Sequence, residues 1–290
     1  MNKILVTGAS GFIGKALVRG LQRASYDVIQ LSSKDGDITD PGTLKGLAAA
    51  GFSRVFHLAG RTYVPDSWSN PMAFYRTNVL GTANVLEWCK TARVPVTYVS
   101  TYLYGIPDRL PVAEDSPIRP NNPYALSKHL AEQLCGSYHA IHGIPITVLR
   151  PFNAYGIGQD QKFLIPTIVR QALLEPVIVV KDLAPRRDFI YLDDLVDALI
   201  RTVESDKGYR VYNIGSGESR SVKEVIEVAQ SIAQTTKKVV CHETRRSGEI
   251  DDVVADISKV QLELNWRPRH SLSDGMRKII SAIRDEARNG

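Results

Sequence analysis

Tyr124 and Lys128 stand four residues apart in Tyr124 to His142, a stretch whose pattern predicts a long helix, so both side chains fall on one face. A phenol with an unperturbed pKa near ~10 is a poor acid or base at neutral pH. A neighbouring ammonium favours the phenolate and lowers that value, as does a cationic ring placed beside it. Such a pair can give a proton to a carbonyl oxygen or take one from a carbinol. Ser100 closes the apolar run Val96-Thr97-Tyr98-Val99-Ser100. That places a hydroxyl for the same oxygen at the carboxyl edge of a sheet, where ligands sit in open α/β folds. A Tyr-x-x-x-Lys pair alone is common on wet helix faces; its weight comes from what precedes it.

What precedes it is Thr7-Gly8-Ala9-Ser10-Gly11-Phe12-Ile13-Gly14, between the apolar run Ile4-Leu5-Val6 and a helical stretch from Lys15 to Arg23. Glycines at a strand-to-helix turn let the backbone approach a pyrophosphate, and the helix N-terminus offers free N–H groups and the positive end of its dipole. The spacing is Gly-x-x-Gly-x-x-Gly, a variant of the dinucleotide fingerprint. The second strand, Val28 to Leu31, runs into Ser32-Ser33-Lys34 with no carboxylate before Asp35. An acidic residue at this point suits a ribose 2′-hydroxyl, whereas a 2′-phosphate needs cations and hydroxyls. The expected cofactor is therefore NADP, with NAD as the alternative if Asp35 serves the ribose.

Elements that position these residues alternate along the chain. Val55 to Ala59 and Ile146 to Arg150 read as further strands, apolar throughout as in a sheet buried on both faces. Pro71 to Lys90 reads as a helix. The expected fold is α/β, a doubly wound parallel sheet of Rossmann type with a smaller C-terminal α/β region. Residues 1–152 would form the dinucleotide-binding domain, with a return segment near 186–203, and 153–290 most of the substrate-binding region. In that second part Phe163 to Leu174, Leu192 to Val203, Ser221 to Ala233 and Ser271 to Arg288 read as helices and Val177 to Val180 as a strand. Residues 107–122, rich in proline and turn formers, read as a surface loop.

Composition excludes several classes. The net charge of +5 comes from scattered cations without a basic run interleaved with aromatics, so nucleic acid is not an expected partner. No stretch is long and apolar enough to span a membrane and the N-terminus lacks a signal-peptide pattern, so a cytoplasmic protein is expected. Cys89, Cys135 and Cys241 are too far apart for a metal-ligand pair and read as reduced thiols; no metal site is expected.

Taken together these motifs resemble the extended short-chain dehydrogenase/reductase family, in its nucleotide-sugar branch. The resemblance runs through Thr7 to Gly14, Asp37-Ile38, His57 to Gly60, Thr77 to Thr82, Ser100 to Gly105 and Pro123 to Lys128. It continues in Arg150 to Asn153, Arg187 to Ile190, and Arg246 to Lys259. It implies that Gly8, Ser10, Gly11, Phe12, Ile13 and Gly14 hold the pyrophosphate and that Asp37 and Ile38 flank the adenine. Leu58, Ala59, Gly60 and Pro151 would line the cofactor, with Asn78 packed behind. Ser100, Tyr124 and Lys128 would be catalytic, the last two also touching the cofactor. Thr101, Tyr102, Asn153, Arg187 and Arg246 would meet the nucleotide sugar, the guanidinium forks being suited to diphosphate oxygens. A homodimer through the helices at 71–90 and 124–142 is implied by the same analogy.

Three reactions compete, each beginning with hydride transfer at a sugar carbon. Dehydration is disfavoured, because Thr101-Tyr102-Leu103 carries no carboxylate where relatives that remove water have a pair. Arg245 to Glu249 and Ala255 to Lys259 are similar to 4-epimerases. Gly156 to Gln159 and Ala184 to Phe189 are similar to the branch that reduces GDP-4-keto-6-deoxymannose. Reduction of a nucleotide-linked 4-keto-6-deoxy sugar, with Tyr124 as general acid, is the favoured reading; an NAD-dependent 4-epimerase is next. A dinucleotide-sensing interaction protein that has lost catalysis is the alternative from another class, and the presence of both Tyr124 and Lys128 weighs against it.

Overall fold

Five short runs of mostly apolar residues, Lys3–Thr7 (β1), Asp27–Leu31 (β2), Phe52–His57 (β3), Val96–Val99 (β4) and Ile146–Pro151 (β5), line up side by side, all parallel. The computed structural model describes residues 3–47, 51–204, 208–244 and 249–289. Between the strands lie helices Phe12–Arg23 (α1), Gly42–Lys45 (α2), Val64–Ser69 (α3), Pro71–Phe74 (α4), Gly81–Ala92 (α5) and Pro123–His142 (α6). The single helix expected over 71–90 is interrupted: Tyr75–Leu80 forms a π-helical turn between α4 and α5. Asn78 lies in that turn and is almost wholly buried. The strand expected over 55–59 begins earlier and ends at His57, which leaves Leu58, Ala59 and Gly60 as loop at the carboxyl edge. Ser100 likewise stands one residue past the end of β4.

The second half adds Asn153–Tyr155 (β6), Leu164–Leu174 (α7), Val177–Val180 (β7), Arg186–Tyr191 (β8), Leu192–Arg201 (α8) and Tyr209–Ile214 (β9). Ser219–Ser221 (β10), Val222–Ala233 (α9), Lys238–Cys241 (β11), Ser258–Leu264 (α10) and Leu272–Asn289 (α11) complete it. The large sheet has the order β2-β1-β3-β4-β5-β9, so its sixth strand comes from beyond residue 152 and extends past the return segment expected at 186–203. Two small sheets, β10-β8-β6 and β11-β7, belong to the C-terminal region.

One core packs α1 and α8 with Trp266 against one face of the large sheet; another packs α5 and α6 against the other. A third joins α7, α9 and α11. This is a doubly wound Rossmann-type sheet with the order reversing at β1 and β3, the place where such folds bind ligands. Residues 107–122 are mostly irregular, tethered by a bridge between Val112 and Ala255.

Helix α6 is fixed to the sheet by a buried ion pair. Arg150 on β5 donates from Nε and Nη2 to the Glu132 carboxylate, the shortest contact being 2.7 Å, and from Nη1 to the Tyr104 hydroxyl at 2.9 Å. Removing one member of such a pair leaves an uncompensated charge in the core. Arg150→Ala is expected to lose about 3–5 kcal/mol of unfolding free energy in urea. Arg220→Ala, which breaks the surface pairs with Glu218 and Glu224, is expected to lose less than about 1 kcal/mol. Equal losses in the two variants would contradict the role given to the buried pair.

Candidate functional site

The glycine turn after β1 is shaped by contacts that leave no room for a side chain. Gly8 has φ +70, and a Cβ there would come within 2.7 Å of the Ala59 backbone nitrogen. At Gly14 a Cβ would collide with the Gly8 carbonyl oxygen and the Ala9 Cα. Helix α1 begins with Gly11 as its N-cap, with no side chain hydrogen-bonded there and no acidic residue in the first turn. Its N–H groups and dipole are thus left for an anion. Ser10 and Gly11 are exposed and Phe12 and Ile13 half-buried, while Leu58 and Ala59 face the turn from the end of β3 and Gly60 faces Asn78 and Lys128. The glycine turn and Leu58-Ala59 are therefore brought together, in a cradle with room for the close approach of a pyrophosphate.

Beneath it runs a polar chain that sequence reading missed. The Thr7 hydroxyl lies 2.7 Å from His57 Nδ1 and accepts from the Ala59 N–H at 3.2 Å, and His57 Nε2 is 3.0 Å from the Thr82 hydroxyl. His57 is fully buried, and burial followed by the charge of Lys128 holds its pKa down to about 3, so the ring is neutral. Its signal was available: a threonine and a histidine are polar intrusions in two adjacent apolar strands, and they pair in register. Asn78 closes the next layer. Its Oδ1 accepts from the Arg61 N–H, and its Nδ2 donates to the Arg61 carbonyl and the Ser127 hydroxyl, which in turn donates to the Tyr124 carbonyl. The loop after β3 is thereby clasped to the helix that carries Tyr124.

Asn122 caps α6 by accepting from the Ala125 N–H, and Pro123 occupies the first turn. Tyr124 and Lys128 consequently emerge beside the end of β4. Lys128 Nζ donates to the Val99 carbonyl at 2.6 Å. Burial draws its pKa down to about 8, against the opposing pull of Glu132. The Ser100 hydroxyl is buried and has no hydrogen-bond partner among the described residues. The Tyr124 phenol has the Thr101 hydroxyl beside it and packs edge-on against Phe74. One expectation is corrected here. In the ligand-free protein the phenol's pKa lies above its ordinary value, not below it. Burial pushes its pKa up to about 12, the Thr101 hydroxyl lowers it, and the nearby Tyr102 raises it further.

Other expected ligand contacts are engaged with the protein itself. Ser32 is not free for a 2′-phosphate: its N–H and hydroxyl both donate to Asp35 Oδ2, at 2.8 and 2.7 Å. This turn brings a carboxylate back to the end of β2, and these hydrogen bonds hold its pKa below the usual range. Ser33 and Lys34 are exposed beside it. The Asp37 carboxylate accepts from the Thr39 N–H, whereas the Ile38 side chain fills the core against α5. Pro151 is buried at the end of β5, paired with Ile214.

Tyr102 stacks on Phe152 with ring centroids 5.1 Å apart, and Asn153 Nδ2 donates to the Asp188 carbonyl at 3.1 Å. Arg187, expected to point at a diphosphate, is paired with Glu249 and donates to the Arg186 and Ile250 carbonyls. Arg246 lies outside the described residues. Among those residues no cluster could hold a metal ion, and no helix is long and apolar enough to cross a membrane.

The family model described as "NAD dependent epimerase/dehydratase family" matches residues 4–215. GDP-6-deoxy-D-mannose reductase of Pseudomonas aeruginosa is 32% identical, over 96% of this chain and 96% of its own. UDP-glucose 4-epimerase of Lactobacillus helveticus is 31% identical, over 94% of each chain. The solved structure of RMD from Pseudomonas aeruginosa complexed with NADPH superposes with a TM-score of 0.91 at 32% identity, covering 99% of this chain and all of that one.

If a cofactor's ribose meets the end of β2, the Asp35 carboxylate held there by Ser32 would repel a 2′-phosphate. Asp35→Ala is expected to raise the NADPH-to-NADH ratio of affinities by about 10-fold or more, about 1.4 kcal/mol. Isothermal titration with each dinucleotide measures it; an unmoved ratio would place the 2′-position elsewhere.

Proposed function

Because the chain belongs to the NAD dependent epimerase/dehydratase family, the nucleotide-sugar branch of the extended short-chain dehydrogenases/reductases, we propose that it reduces a nucleotide-linked 4-keto-6-deoxy sugar. The observation that carries this reading is the convergence of three groups at the end of β4. These are the unpartnered Ser100 hydroxyl, the Tyr124 phenol beside Thr101, and the Lys128 ammonium held on the Val99 carbonyl. In this reading Ser100 donates a hydrogen bond to the substrate carbonyl and so fixes its orientation. Tyr124 gives its proton to the same oxygen as charge develops there. A phenol with its pKa near about 12 is fully protonated at neutral pH, which suits the acid required for reduction. Lys128 supplies positive charge that stabilises the phenolate left behind. The nicotinamide, when bound, supplies the hydride. Gly8, Gly11 and Gly14 would hold its pyrophosphate, and Ser10, Phe12, Ile13, Leu58, Ala59, Gly60 and Pro151 would line it.

NADPH is the favoured donor, with Lys34 and Ser33 as its 2′-phosphate contacts; support comes from the NADPH complex of a protein 32% identical to this one. Thr101 and Tyr102 would border the sugar, and Asn153 and Arg187 the nucleotide, Arg187 exchanging Glu249 for a diphosphate. A second reading, an NAD-dependent 4-epimerase, is favoured by the Asp35 carboxylate at the end of β2 and by likeness to UDP-glucose 4-epimerases.

We further infer a homodimer. Leu80 and Leu126 are exposed, and Val79, Ala83, Leu130 and Leu134 line an apolar hollow between the π turn, α5 and α6. Light scattering is expected to give twice the monomer's 32.1 kDa; a monomer at micromolar concentration would contradict it.

The reading is tested with GDP-, UDP- and dTDP-linked 4-keto-6-deoxy sugars, each with NADPH and with NADH, following loss of reduced-nicotinamide absorbance. Turnover of at least one is expected, and Tyr124→Phe is expected to lower kcat by about 10²-fold or more while leaving NADPH affinity nearly unchanged. Interconversion of UDP-hexoses without net consumption of added cofactor would instead support the epimerase. Near-normal kcat in Tyr124→Phe would remove that phenol from the acid role.

A further inference from the structure

Lys128 faces an electrostatic difficulty. A buried ammonium tends to lose its proton, and burial here draws its pKa down to about 8. The groups around it offer little net negative charge. On its own helix, Glu132 lies one turn along, but its carboxylate is bound to Arg150 of β5. The Cys135 thiol on the same helix is buried, and burial raises its pKa well above the ordinary range. Tyr124 is a neutral phenol at neutral pH. From β3, His57 is a neutral imidazole. From β4, the Val99 carbonyl accepts one of the three ammonium hydrogens.

A further neighbour is Tyr98 on β4, two residues before Ser100. Lys128 Nζ sits over its ring, 4.3 Å from the centroid, and the residue is only 1% exposed. An aromatic face carries a negative quadrupole, and its attraction for a cation strengthens where water is excluded. Tyr98 is itself a poor source of charge, since burial keeps its phenol neutral. What it offers the ammonium is the ring face.

We propose that Tyr98 is a positioning residue: its ring face, beneath the Lys128 ammonium, keeps that group charged and fixes its head at the end of β4. The consequence for catalysis rests on the reductase reading given above, because there Lys128 must be a cation when Tyr124 surrenders its proton. The interaction itself is a property of the ligand-free chain.

The sign follows from which form the ring favours. Stabilising the cation raises the Lys128 pKa, so loss of the face lowers it and the charge disappears at a lower pH. Three replacements separate the face from the shape and the hydroxyl. Tyr98→Phe keeps the face and removes the hydroxyl. Tyr98→Met fills similar space without a face. Incorporation of 3,4,5-trifluorophenylalanine in place of Tyr98 keeps the ring's shape and depletes its negative face, so the test survives if the Met variant fails to fold. The Lys128 titration is read by ¹³Cε NMR of labelled lysine in the full, ligand-free chain, with the resonance assigned by its loss in Lys128→Met.

The wild-type protein and Tyr98→Phe are expected to titrate together, and the Met and trifluorinated proteins about one pH unit lower. Coincident midpoints in all four proteins would overturn the proposal. So would a fall in Tyr98→Phe as large as in Tyr98→Met, which would assign the effect to the hydroxyl. Once a substrate is in hand, the high-pH limb of kcat/KM is expected to move down with the NMR midpoint. A limb that stays fixed while the midpoint moves would count against the catalytic reading of Lys128 and leave the ring's effect on the ammonium standing. The two failures are thus distinguishable.

Discussion

The hydrogen bond from the Lys128 ammonium to the Val99 carbonyl is the constraint around which the candidate site is arranged. A cation taken almost out of water must be compensated by hydrogen bonds and nearby electron density. Here the compensation comes from the last carbonyl of β4, the face of Tyr98 and, at one remove, Glu132. Each of those groups is held in turn. β4 lies between β3 and β5 in a sheet buried on both faces, and Glu132 is anchored by Arg150 on β5. Misplacing helix α6 would strip the ammonium of its partners and carry Tyr124 away from Thr101 in the same motion. The fold and the site share one constraint.

In its ligand-free state the chain satisfies much of the site with its own groups. Asp35 holds Ser32, Glu249 holds Arg187, and burial keeps the Tyr124 phenol protonated. The Ser100 hydroxyl is buried and finds no partner among the described residues. An unsatisfied buried hydroxyl costs stability, which a hydrogen bond from a ligand would recover. Anionic ligands that dock here would exchange internal pairs for their own contacts, so affinity reflects a difference between two sets of hydrogen bonds and not the sum of one.

Local periodicity made the first half of the fold legible. Ile4 to Val6, Val28 to Leu31, Val96 to Val99 and Ile146 to Arg150 are short apolar runs divided by helical spacing, and the structure places them as neighbouring parallel strands. The glycines before α1 announced the cradle because only a residue without a side chain fits at Gly8 and Gly14. β9 was missed because Tyr209–Ile214 mixes polar and apolar residues, so it lacks the continuous apolar run of the other strands. The π turn at Tyr75–Leu80 was hidden inside a pattern that also suits a continuous helix. Within the candidate site, residue types were readable but their partners were not. The Asp35 fold-back depends on turn geometry, and the pairing of Arg187 with Glu249 spans 62 residues. The elevated phenol pKa reflects the packing around the Tyr124 side chain, which tertiary structure alone decides.

The central claim is that hydride passes once from a reduced nicotinamide to a sugar carbonyl while Tyr124 protonates the oxygen. Its most direct measurement is isotopic: turnover of a nucleotide-linked 4-keto-6-deoxy hexose with cofactor deuterated at the transferring position of C4, followed by NMR of the sugar product. The account predicts one deuterium on sugar C4, in a hydroxyl-bearing product formed mole for mole with oxidised cofactor. A hexose altered at C4 that carries no deuterium from the added cofactor would contradict it.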